Sequence, residues 1–169
     1  MHALYLLSVW LHIMAAVVWL GGTIFMVIAL IPAIRRPEFS AVALRLIRWT
    51  AIRFRWVSWL CFGIFLMTGT ANLFLRGLTW SDFQSLEFWR SSFGTTLAIK
   101  LAFVALIFAM SAFHDFHIGP RATAAWEADR TAAEIARLRR EAVRLGRLNL
   151  ILALAVTILG VMLVRGGIW

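Results

Sequence analysis

The run ALYLLSVWLHIMAAVVWLGGTIFMVIALI, residues 3–31, contains His12 and no Asp, Glu, Lys or Arg. About 20 consecutive mostly apolar residues cross a bilayer core as a helix, so this run is long enough to span one. A cleavable signal carries a basic lead and an apolar core of about 7–15 residues. Residues 3–31 have no such lead and exceed that length, so the run is expected to persist as a structural helix. Working outward, residues 56–75, 94–113 and 148–164 meet the same criterion. The expectation is an all-α integral membrane four-helix bundle, one domain over residues 1–169. A hydrophobic fraction of 62% and a mean hydropathy of +0.85 agree with a lipid solvent.

The loops set the orientation. Residues 32–55 carry six arginines (35, 36, 45, 48, 53 and 55) against Glu38, and residues 114–147 carry seven arginines against five acids. Residues 76–93 carry Arg76 and Arg90 against Asp82 and Glu87. The positive-inside bias therefore puts the first and third loops in the cytoplasm, and both termini and the second loop outside. This placement also accounts for the formal charge of +9, so no nucleic-acid partner is expected and the bilayer is the principal one. Cys61 is the sole cysteine, which excludes an intrachain disulfide or CxxC centre. Most tryptophans, Trp10, Trp49, Trp56, Trp59, Trp80, Trp89 and Trp169 among them, fall near span ends as aromatic belts do. Trp19, near mid-span, does not.

Residues 40–55 alternate arginine with Leu, Ile, Trp and Phe, the pattern of an interfacial helix at anionic headgroups. In the third loop, Glu127, Glu134 and Glu141 are each followed three residues later by Arg130, Arg137 and Arg144, pairs that support a helix. The fourth helix is therefore expected to start near residues 131–134, as a long cytoplasmic extension between spans three and four. Gly119 and Pro120 are expected to end the third helix.

Ionisable groups inside a membrane mark functional sites by default. His12 lies roughly 13 Å below the outer end of span one, on a face with Ala15, Ala16, Trp19, Thr23 and Met26 that should turn inward. Lys100 lies at comparable depth, roughly 9 Å into span three, where it either snorkels outward or serves the site. Neutral imidazole binds copper, zinc and haem iron, and Met14, Met162 and Met67 are the candidate thioether companions for His12. The stretch FHDFHIGP, residues 113–120, brings His114 and His117 to the opposite face, roughly 20 Å from Lys100. They cannot share one small metal site with His12. A second metal site there would need a further ligand, and a polar cap at a wet helix C-terminus accounts for them equally. Asn149, with Ala153, Val156 and Gly160, forms the close-packing face of span four and could meet His114 or Asp115.

LHIMAAVVWLGG (11–22), IKLAFVALIF (99–108) and RLGRLNLILALAVTILGVMLVRG (144–166) resemble the membrane domain of copper-resistance protein D, the CopD family. The chain is more distantly similar to HemJ-type protoporphyrinogen oxidases at His12, Trp19, Gly21 or Gly22, Lys100, His114 and Asn149. Leu150 stands where HemJ proteins usually place an acidic residue. The CopD resemblance implies copper transport or resistance in a bacterial inner membrane, with a periplasmic copper protein as partner. The HemJ resemblance implies haem b on His12 and an oxidoreductase. His12, Trp19, Lys100 and Asn149 are the candidate cofactor residues, and His12, Met14, His114 and His117 the candidate metal ligands. Copper and haem b both stay open, as does enzymatic activity. Four helices leave little interior for a cofactor, which makes a homodimer plausible. No hydrolase nucleophile motif, phosphate-binding glycine loop or paired membrane carboxylate is present, so hydrolase, nucleotide-driven pump and proton-relay classes have no foothold.

Overall fold

The structure, a computed structural model, describes residues 2–127 and 131–166. The Glu127–Arg130 pair and Trp169 lie outside the described side chains. Among the described residues the chain is helical throughout: α1 (His2–Phe25), α2 (Ile31–Ala33), α3 (Ser40–Leu75), α4 (Trp80–Gln84), α5 (Leu86–Arg90), α6 (Ser92–Phe113), α7 (Gly119–Glu127) and α8 (Ala132–Val164). Four helical stretches, His2–Ala33, Pro37–Leu75, Ser92–Ala125 and Ala133–Val164, are long and apolar enough to cross a membrane. This is a multi-pass membrane protein.

Neighbouring spans run antiparallel. α1 packs on α3, α6 on α8, and α1 touches α8, while the stacked rings of Phe62 and Phe108, 4.4 Å apart, bridge α3 and α6. One end of the bundle holds the start of α1, the short helices α4 and α5, and the end of α8, where Arg76 donates to the Leu163 carbonyl at 3.5 Å. The other end holds the arginine-rich segments. Lipid provides no hydrophobic drive between helices, so small residues must allow close approach. Ala15, Cys61 and Ala153 do so, buried around Trp19, Phe62 and Ile107. Ile28, Trp56, Leu60, Met67 and Ile151 stay on the outside, as a lipid solvent permits.

Two sequence expectations are corrected. Residues 40–55 are not a separate interfacial helix: α3 is a single helix of 36 residues, roughly 54 Å long, whose arginine-bearing first half continues into the span. The arginines lie beyond the roughly 30 Å hydrocarbon core, so nothing forces a break. Gly119 and Pro120 likewise do not end the third helix. A π-helical turn, His114–Ile118, carries α6 into α7, and Gly119 keeps ordinary helical angles of φ −58 and ψ −53. Its N–H donates to the His114 carbonyl, five residues back. Proline lacks an N–H, and its ring collides with the carbonyl four residues earlier. A wider turn just ahead relieves the collision, as π-bulges do. Pro32 follows the same rule, since the π-helical turn Met26–Leu30 precedes it and Ile31 N–H donates to the Met26 carbonyl.

α8 begins where expected, with the Thr131 hydroxyl accepting from Glu134 N–H at 3.4 Å. Arg137 Nε reaches Glu141 at 3.9 Å along this exposed extension.

Candidate functional site

His12 is half-buried between α1 and α3. Its Nδ1 lies 2.7 Å from the Thr68 hydroxyl oxygen, and that hydroxyl donates to the Ile64 carbonyl at 2.5 Å. A hydroxyl has one proton to give. With it committed to Ile64, the Thr68 oxygen accepts from Nδ1–H of His12. This fixes the tautomer and leaves the lone pair on Nε2, as at imidazole ligands whose second nitrogen is held by a hydrogen bond. Ser8 donates to the Thr68 carbonyl at 3.3 Å, joining the same helix pair.

The ring is also held by its surroundings. Phe65 meets it edge-on with centroids 5.2 Å apart, and a Cβ on Gly69 would sit 3.5 Å from its Cε1. Two turns further along α1, Trp19 is buried against Phe62 and Phe65. Its carbonyl accepts from Thr23 at 2.8 Å. Trp19 therefore forms the packed floor beneath His12 and offers no coordinating atom.

Lys100 projects from α6 toward α8. Its Nζ rests 3.8 Å from the position a Cβ on Gly160 would take, so a side chain on α8 there would crowd it. Among the described residues no carboxylate forms an ion pair with Lys100. The apolar spans thus carry an imidazole nitrogen donor and a lysine that forms no ion pair with a carboxylate among the described residues.

The remaining candidates lie elsewhere. Met14 is two residues from His12, about 200° around the helix, and does not share its face. Asn149 donates to the Ser111 hydroxyl at 3.0 Å, one turn before His114. His114 Nδ1 lies 3.0 Å from Asp115 Oδ1, and Trp59 Nε1 donates to Oδ2 at 3.2 Å. The π turn spreads the two histidines: His114 faces the bundle with Asp115, whereas His117 is exposed and stacks on Phe113 at 5.5 Å. No group of three or more His, Cys, Asp or Glu gathers to hold a metal ion among the described residues.

Below Trp19, at the arginine-rich end, a cavity of about 480 Å3 opens between the ends of α1, α3, α6 and α8. Sequence reasoning passed over it, and over Thr68 and Gly69, whereas Gly160 was placed on the close-packing face of span four. Thr68 carried the one available signal, a hydroxyl within an apolar run.

The family model for copper resistance protein D matches residues 50–163. No curated protein and no solved structure matches the chain.

Proposed function

The chain belongs to the copper resistance protein D family, and from that premise we propose that it handles copper in a bacterial inner membrane, taking Cu(I) at Nε2 of His12. The observation carrying this reading is the Thr68 bond, which presents an oriented, neutral imidazole nitrogen inside the membrane. Imidazole is a good ligand for copper. Lys100 disfavours a bare cation nearby, so copper arrives already bound to a soft anionic ligand of a periplasmic copper protein. His12 then acts as a transfer point that exchanges ligands with its donor. With the arginine-rich loops in the cytoplasm, His12 lies nearer the periplasmic face, where such a partner would meet it.

A second reading is favoured by Lys100. A lysine that pairs with no carboxylate among the described residues suits a haem propionate, and Nε2 of His12 suits the iron. These two residues would hold haem b, which would supply electron transfer when bound.

Both readings are tested by one experiment on detergent-purified protein and a His12→Ala variant: oxidised and dithionite-reduced visible spectra, with copper and iron quantified. Copper handling predicts a colourless protein that binds added Cu(I) and loses it in the variant. Sharp reduced bands that vanish in His12→Ala would replace it with the haem reading. Neither metal nor colour would overturn both and leave a membrane scaffold.

A further inference from the structure

The cavity at the arginine-rich end is separate from His12, and its polar side chains lie at two levels. Arg35, Arg48 and Arg139 line the mouth, and Arg48 and Arg139 have partners of their own. The inner end lies within the bilayer. Asn149, on its wall, stands roughly 22 Å of helix rise from Val164, where α8 ends, against a hydrocarbon core of about 30 Å. Most polar groups at this inner end are already engaged. Thr23 donates to the Trp19 carbonyl, Asp115 meets Trp59 and His114, and the Asn149 side-chain N–H donates to Ser111.

Two atoms of opposite kind are left over. Among the described residues, Asn149 Oδ1 is a buried acceptor without a donor, and Arg55 Nε, also on the cavity wall, is a buried donor without an acceptor. Unpaired polar atoms are costly in a low-dielectric setting. An anion would serve Arg55 but not the Asn149 oxygen. A hydroxyl both donates and accepts, so it suits either atom and brings no charge into the membrane.

An apolar belt separates the inner end from the mouth. Along α1 the lining passes from Thr23 through Met26 and Ile31 to Arg35, and along α8 from Asn149 through Leu145 and Val143 to Arg139. Water would satisfy Oδ1 but gain nothing from these walls. A phospholipid would have to carry its charged head beneath the belt, into the hydrocarbon region. A volume of about 480 Å3 falls within the usual range for ligand pockets.

We propose that this cavity binds a neutral amphiphile with a hydroxyl head, the hydroxyl donating to Asn149 Oδ1 and the hydrocarbon lying along the apolar belt. A second oxygen of the head accepts from Arg55 Nε. A long-chain hydroquinone and an acylglycerol share this chemistry. The site is independent of the copper reading at His12.

The full-length protein in phosphatidylcholine nanodiscs is titrated with decylhydroquinone, decylbenzoquinone or 1-decanoylglycerol, following the melting temperature. The quinone accepts hydrogen bonds but donates none, so it isolates the Asn149 contact. The expected result is a saturable rise with a hydroxyl compound, the one acting at lower concentration naming the source, and binding of the quinone at least about tenfold weaker. Asn149→Leu removes the acceptor and should weaken the responding compound roughly tenfold, as loss of one buried hydrogen bond does. Gly146 lines the cavity, and a Cβ there meets nothing within 4 Å, so Gly146→Phe fills the space without displacing backbone and should abolish binding. No saturable rise with either hydroxyl compound would leave only water on Oδ1 and overturn the assignment. Equal binding of the hydroquinone and its quinone, or affinity unchanged in both variants, would overturn it as well.

Discussion

Two hydrogen bonds at Thr68 decide which nitrogen of His12 is left for the copper of the proposed reading. Thr68→Val keeps the shape but removes the acceptor, so the ring loses its fixed tautomer. Cu(I) affinity should fall about 10- to 100-fold, the usual cost of losing such a support, while Thr68→Ser retains most of it; competition with a chromophoric Cu(I) chelator measures both. Unchanged affinity in Thr68→Val would contradict the role given to this bond. At Asp115 the consequence is structural. Asp115→Ala strips the acceptor from Trp59 Nε1–H, and an unsatisfied partly buried donor costs about 1–3 kcal/mol. A lowered midpoint in denaturant unfolding should report it. His12 and Lys100 could be singled out from sequence because an ionisable residue in an apolar run is conspicuous. Thr68 could not, because a mid-span threonine usually bonds its own helix, and only the approach of α1 reveals its second contact.

Helices show where local sequence signals gave way to the membrane setting. Gly119–Pro120 is a stop signal in water, but here the preceding turn widens and the helix continues into α7. Sequence alone cannot decide between stopping and widening, because the choice depends on what packs beyond the proline. The α5–α6 joint is tight: a Cβ on Gly94 would collide with the Phe88 carbonyl. Gly94→Ala should therefore push α5 off α6 and lower the melting temperature, whereas Gly63→Ala, with nothing within 4 Å, should be close to neutral or stabilising. Equal melting temperatures would contradict this packing. In the second loop, Asp82 accepts from Thr79 N–H at 2.6 Å and from its hydroxyl at 2.7 Å. These bonds, the backbone one foremost, hold its carboxyl below the ordinary value of 3.8. A depressed carboxylate stabilises the fold above its unfolded pKa, and the gain is lost as pH falls through the lower folded value. The protection of the Thr79 amide, its exchange rate relative to the intrinsic rate at each pH, should hold at neutral pH and fall only in acid below the normal aspartate range.

At the scale of the molecule, four spans were legible because hydropathy registers the solvent directly, and the start of α8 was legible from its charge pattern. The cavity was not, since its arginines come from the first loop, α3 and α8, and meet only when the bundle closes. The proposed orientation predicts that, in a Cys61→Ala background, Ser81→Cys is labelled by an impermeant maleimide in intact spheroplasts and Thr131→Cys only after lysis. The reverse pattern would put His12 near the cytoplasm and remove the periplasmic partner. The central claim is that His12 holds the copper. Its most direct test is copper K-edge absorption on Cu(I)-loaded protein. The account predicts imidazole multiple scattering that disappears in His12→Ala, whereas a spectrum unchanged by that substitution would contradict it.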